Sequence, residues 1–134
     1  LGDVLRRATS IHGDFVKMYD ADIRTLDLEC VSYKVCRDEG WPLEKVDRVE
    51  RAYRAFLQII RDVDGAHSVA PTLDIDRYWH HHILDTQIYH RDCAALFGRY
   101  LHHFPYSGIF GEEDAKQQNE RVHNTLSLLK PYIT

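Results

Sequence analysis

Along the 134 residues nothing alternates apolar and polar side chains at a period of two over the length of a strand, whereas steps of three and four recur along most of the chain. That periodicity restricts the chain to packed helices, because only a helix returns a side chain to one face every three to four residues. The clearest stretch runs from Pro42 to about Arg61, where Val46, Val49, Tyr53, Leu57 and Ile60 make one apolar stripe. Pro42 serves there as the first helical residue, where its missing N–H costs nothing. Before it, Gly40 followed by Trp41-Pro42 stops a helix that carries Ile23, Leu26, Cys30 and Tyr33 on one side, with Leu28, Val31 and Val35 beside them. An earlier helix is expected from the stripe Val4, Ala8, Ile11, Phe15 and Met18, bent or divided at Gly13.

After a polar loop from Asp62 to Ser68, Pro71-Thr72 restarts the chain into a helix beginning at Leu73 or Asp74. The segment Asp74 to Phe104 is expected to break into two helices at Asp85-Thr86, with Asp85 as the cap of the second. Phe104-Pro105-Tyr106-Ser107-Gly108 cannot continue a helix. Gly111-Glu112-Glu113-Asp114 then places acid in the first turn of a last helix, whose apolar side is Ala115, Val122, Leu126 and Leu129. The expected fold is all-α, a compact single domain of five or six helices over residues 1–134. A chain of this length buries roughly two-thirds of the surface its unfolded form exposes, so its core needs no staples. Its three cysteines, Cys30, Cys36 and Cys93, include no C-x-x-C pair and make no disulfide framework.

Charge narrows the partners. A formal net charge of -4 with no Lys/Arg cluster supplies no footprint for nucleic acid and would be repelled by an anionic membrane surface. The apolar runs are a few residues long, far short of the ~20 that a membrane span requires. Leu1-Gly2-Asp3 shows neither the basic nor the apolar part of a secretory signal, so a cytoplasmic protein is expected.

The strongest chemical lead is histidine. Six of the nine fall between His80 and His103. Imidazole, carboxylate and thiol are the side chains that bind Zn²⁺ or Fe²⁺. On a helix turning about 100° per residue, Ile75, Trp79, His82, Thr86, Tyr89, Cys93, Phe97 and Tyr100 share a mainly apolar face, which aims His82 into the core. Asp76 and His80 are an i, i+4 pair on roughly the opposite side. His80 and His82 therefore project about 200° apart and can share one metal only where the helix is irregular. His80 with Asp76 suits a ligand imidazole and the carboxylate that fixes its tautomer, and His82 with Tyr89 or Cys93 is the alternative set. A third ligand must come from His102 or His103, which also suit the last turn of a helix as capping groups. Against the metal stands a plainer account, in which His82 is a hydrogen-bonded core histidine and Cys93 a buried inert thiol. No phosphate loop, G-x-S-x-G elbow, H-E-x-x-H or EF-hand loop is present.

Asp76-x-x-Trp79-His80-x-His82-x-Leu84-x-x-x-x-Tyr89, followed by Asp92-Cys93 and Phe97-Gly98, resembles the glycine-rich domain-containing protein-like family of bacteria and plants. The likeness spans about residues 45–114. The glycine-rich tract that names the plant members is missing, since the chain has 7 Gly and none clustered. The resemblance implies no particular reaction; it singles out Asp76, Trp79, His80, His82 and Tyr89 and leaves His81 and His90 aside. With it, the expected metal set is His80, His82 and His103 with Asp76, holding Fe²⁺ or Zn²⁺. Two histidines and a carboxylate would leave iron open to dioxygen or a small-molecule substrate, whereas a closed four-ligand set would make zinc structural. The alternative is a non-catalytic interaction module, its Trp/His/Tyr cluster serving as core and its acidic surface meeting a partner protein.

Overall fold

Where the structure describes it, the N-terminal stripe is not helical. In the computed structural model, which describes residues 7–9, 15–63 and 68–132, β1 (Arg7–Thr9) and β2 (Phe15–Lys17) pair antiparallel with Ala8 opposite Val16. The rest of that expected helix, at 4–6 and 10–14, lies outside the described residues. Thr9, Ile11 and Val16 are β-branched and Gly13-Asp14 is a turn pair in the sequence. Local preference there favours extended backbone over an apolar stripe of only four turns.

Two three-residue strands make no layer, and the fold is all-α. The helices are α1 (Ala21–Arg24), α2 (Glu29–Glu39), α3 (Leu43–Asp62), α4 (Leu73–Leu84), α5 (Thr86–Phe97) and α6 (Glu112–Leu129), closed by a 3₁₀ turn over Lys130–Tyr132. Six helices stand among the described residues, but their membership differs from the expectation. The hairpin replaces the first helix, and the second divides into α1 and α2. Arg54 on α3 enforces that division by donating to the carbonyls of Ile23 at 2.7 Å and Arg24 at 3.2 Å, which ends α1. In α2 the core side is Val31 and Val35, with Leu28 just before it, while Cys30 and Tyr33 face solvent.

Helix α3 is the axis of the molecule and packs against α1, α2, α4 and α6. Its stripe of Val46, Val49, Tyr53, Leu57 and Ile60 is buried as expected. Gly40 ends α2 at φ 70°, a left-handed position that glycine takes without strain. Pro42 stays extended, so α3 begins at Leu43, one residue later than expected. The Gln58 side chain is fully buried; it accepts from the Asp20 N–H at 2.8 Å and donates to the Asp20 and Asp62 carboxylates. Arg61 adds contacts to Asp20 at 2.8 Å and Asp22 at 2.7 Å, fastening the α1 end of the chain to α3.

The histidine-bearing segment breaks at Asp85 as expected, but the Asp85 carboxylate makes no capping bond. The upstream cap is Thr72, whose hydroxyl accepts from the Ile75 N–H. Gly98 at φ 67° ends α5, so His102 and His103 lie beyond the helix rather than in its last turn, and the capping role expected for them does not hold. Helix α6 is held to the chain before α4 by Thr125, which accepts from the Ala70 N–H at 3.0 Å, and by Asn124, which donates to the Ser68 carbonyl. Thr125 and Leu129 take its core side, and Leu126 is exposed. No helix among the described residues is long and apolar enough to cross a membrane.

Trp79 lies in the core with its ring 5.5 Å from Phe56, edge to face. Trp79→Ala should lower the unfolding free energy by about 3 to 5 kcal/mol through the cavity it leaves. Urea titration followed by circular dichroism measures this; an unchanged midpoint would show that the side chain is not core.

Candidate functional site

Helix α4 sends its functional side chains to two separate places. On the inner face, His82 is buried between α3 and α5, with Nδ1 2.6 Å from the Tyr53 hydroxyl and Nε2 2.8 Å from Asp92 Oδ2. Burial pushes the Tyr53 phenol well above its ordinary pKa, so it keeps its proton and donates to Nδ1. The Nε2 proton is then given to Asp92, and both ring nitrogens are occupied by protein. Burial also holds the His82 pKa below its ordinary value of 6.5, outweighing the pull of Asp92. The unfolded chain therefore takes up a proton at His82 that the folded one resists. This costs no stability above about pH 6.5 and a growing amount as the pH falls below it.

A second buried chain of bonds runs beside the first. The Trp79 indole N–H donates to the Tyr89 hydroxyl at 2.9 Å, and Tyr89 donates to the Leu101 carbonyl at 2.6 Å. That last bond pins the segment after α5 against α4. Two residues on, His103 stacks over Trp79, ring centroids 4.2 Å apart.

There His103 meets the outer face of α4. Its Nε2 lies 2.5 Å from Asp76 Oδ1 and 3.2 Å from His80 Nε2, and His80 Nε2 lies 3.4 Å from Asp76 Oδ2. One donor atom from each of the three residues falls within 4.8 Å of the others. Ligand atoms held about 2.0–2.1 Å from one ion stand roughly 2.8 to 3.4 Å apart across octahedral or tetrahedral angles, so the nitrogen spacing suits a shared ion. The Asp76 pKa is pushed up by burial, but the His103 hydrogen bond and the neighbouring His80, His103 and Arg77 charges outweigh that and leave it below the ordinary carboxylate value. Asp76 is thus an ionised carboxylate facing two imidazoles.

The structure brings together Asp76, His80 and His103 and leaves His82 apart. The opposite projection of His80 and His82 is what a regular helix dictates, and α4 is regular through both. Among the other histidines, His81 turns toward α2, where it contacts Glu39 at 3.1 Å and Lys34 at 3.2 Å. Cys93 is buried and Asp85 makes no capping bond. The sequence marks Tyr53 only as part of the α3 stripe and Asp92 only within the family-like motif, and gives neither as a partner of His82. An Asp at i+10 carries no helical spacing signal, because α4 and α5 form two helices whose relation is tertiary.

Beside the cluster opens a cavity of about 670 Å³. Asp76, His80 and His103 form part of its wall; Phe56, Ile60 and Val69 give it an apolar floor. Its far wall is α6, through Asp114, Gln118 and Arg121. A smaller hollow of about 270 Å³, lined by Ile83, Tyr100 and His102, touches His80 and His103 from their other side.

Fold and site together define a small helical domain with two imidazoles and a carboxylate on the wall of a cavity. The UCP032817-like family model matches residues 31–128, which include α2 through most of α6, and the chain belongs to that family. No curated protein and no solved structure matches it.

The Asp92–His82–Tyr53 bonds support the core. Asp92→Ala, which strands the His82 N–H in a buried position, should cost about 1 to 3 kcal/mol of stability. Asp92→Asn, whose amide oxygen can still accept that hydrogen, should recover much of the loss. Thermal unfolding of the two variants at neutral pH provides the comparison, and equal midpoints for both would contradict this account.

Proposed function

We propose that the protein binds one divalent transition metal, Fe²⁺ or Zn²⁺, through Asp76, His80 and His103, and that it acts on a small molecule bound in the adjoining cavity. The observation that carries this reading is the convergence of three donor atoms within 4.8 Å, the one such group of His, Cys, Asp or Glu among the described residues. A proton on one Nε2 satisfies only part of the triad; a cation between the three satisfies all of them. Two imidazoles and one carboxylate match the donor set of non-haem iron sites and of open zinc sites. A metal so held supplies a Lewis acid or an oxygen-activating centre with free coordination positions.

The chain's own residues provide the rest. Trp79 supports the His103 ring, and the Tyr89 bond to Leu101 holds the segment that carries it. Regular helix fixes Asp76 and His80 one turn apart. A cavity of about 670 Å³ falls in the range that accepts a small organic molecule, and Phe56, Ile60 and Val69 give it apolar surface. The likeness of residues 76–89 to the glycine-rich domain-containing protein-like family supports the same Asp76 and His80.

The other reading is a non-catalytic interaction module. It is favoured by Phe104, Tyr106, Ile109 and Phe110, exposed together on the loop before α6.

Protein purified without a histidine tag should carry or take up close to one equivalent of iron or zinc by elemental analysis. His80→Ala and His103→Ala should abolish uptake, and Asp76→Ala should weaken it by at least about tenfold. His81→Ala and His82→Gln should leave it intact. Less than about a tenth of an equivalent, with no uptake from added Fe²⁺ or Zn²⁺, rejects the metal reading.

A further inference from the structure

The α6 wall of the cavity carries a cation, Arg121, that pairs with no carboxylate among the described residues. Arg121 is half-buried there, and its guanidinium is held by the Gln118 side-chain carbonyl through two hydrogen bonds, Nε at 3.2 Å and Nη2 at 3.0 Å. Among the described residues no carboxylate forms an ion pair with it. The nearby acid in the wall, Asp114, is committed to the loop: one of its oxygens accepts from the N–H groups of Gly108 at 2.9 Å and Phe110 at 3.1 Å. Gln118 in turn is backed by Gly108, where an added Cβ would stand 3.2 Å from the Gln118 side chain. The loop after His103 therefore sets Gln118, and Gln118 sets the plane of the guanidinium.

A half-buried, oriented guanidinium with free N–H groups is a receptor for a planar anion, because its fork matches the two oxygens of a carboxylate. The lining that Arg121 and the histidine cluster share includes the apolar side chains of Phe56, Ile60, Val69 and Phe104. One arginine matches one negative charge. A doubly charged phosphate would be opposed by the Asp76 and Asp114 carboxylates that also line the cavity.

We propose that the cavity takes a small, mainly apolar monocarboxylate, whose carboxylate is held by Arg121 while its other end faces Asp76, His80 and His103. This deepens the metal reading and rests on it only for the end of the molecule that reacts. Binding of the carboxylate by Arg121 stands without a metal.

The probe is 3-phenylpropionate, measured by isothermal titration calorimetry on the full chain, tag-free, both as purified and after EDTA treatment. The EDTA-treated parent should bind it, and the uncharged 3-phenylpropanol at least about tenfold more weakly. Arg121→Gln should weaken carboxylate binding by about ten- to a hundredfold, with its thermal midpoint and zinc uptake equal to those of the parent. No binding by the parent, equal binding of the alcohol, tighter binding of phenyl phosphate, or an Arg121→Gln variant that binds like the parent overturns the proposal. The comparison of parent with alcohol decides the matter even where the variant fails to fold. Arg121-dependent binding in a protein that takes up neither iron nor zinc removes the metal reading alone; uptake of either metal with Arg121-independent binding removes this proposal alone.

Discussion

Tyr53, Trp79, His82 and Tyr89 are large, buried and polar at one end, and a buried polar atom without a partner costs more than most single contacts supply. That requirement organises the centre of the molecule. His82 needs an acceptor and a donor, and finds them on two other helices, Asp92 on α5 and Tyr53 on α3. Trp79 and Tyr89 need partners, and end on the backbone of Leu101. Four bonds thus fix the rotation of α4 about its axis, the angle between α4 and α5, and the path of the chain after Gly98.

The outer face of α4 inherits its position from the inner one. Once Trp79 and His82 are locked inward, Asp76 and His80 must point outward one turn apart. Once Leu101 is held, His103 falls over Trp79 and onto the Asp76 carboxylate. The cluster is therefore preorganised without its own members having to hold the fold, the arrangement a site needs when its donors are to be free for a ligand. His82, by contrast, has both nitrogens engaged in the core and contributes to the cluster only by orienting the helix that bears it.

Helix α6 completes the cavity from the other side. Thr125 and Asn124 tie it to residues 68–70, just before α4 begins, which links the wall bearing Arg121 to the wall bearing Asp76. The loop over 104–110 closes one side of the cavity, where Gly108 backs Gln118, and exposes its aromatic residues. The cavity lies between helices and is lined by apolar side chains as well as charged ones, the composition of a small-molecule site.

The all-α class, the buried stripe of α3, the stop at Gly40, the break at Asp85 and the inward aim of Trp79 and His82 were all legible in the sequence. Each follows from the period of one helix or from one residue's backbone preference, and such signals are local. The N-terminal strand pair is hidden in the sequence because its apolar residues also keep helical spacing, and only the β-branched residues around Gly13 point to extended backbone. Helix α5 ends earlier than Phe104 because Gly98 takes a left-handed conformation that stops it. Which histidines share a site was decided only by tertiary structure. Asp76 with His80 was visible as an i, i+4 pair, but His103 joins them through the Tyr89–Leu101 bond, and His82 is withdrawn by Tyr53 and Asp92 from two other helices. Periodicity says which way a side chain leaves its own helix; what it meets there depends on how separate helices are rotated against each other, and here the pairing of buried polar atoms sets that rotation.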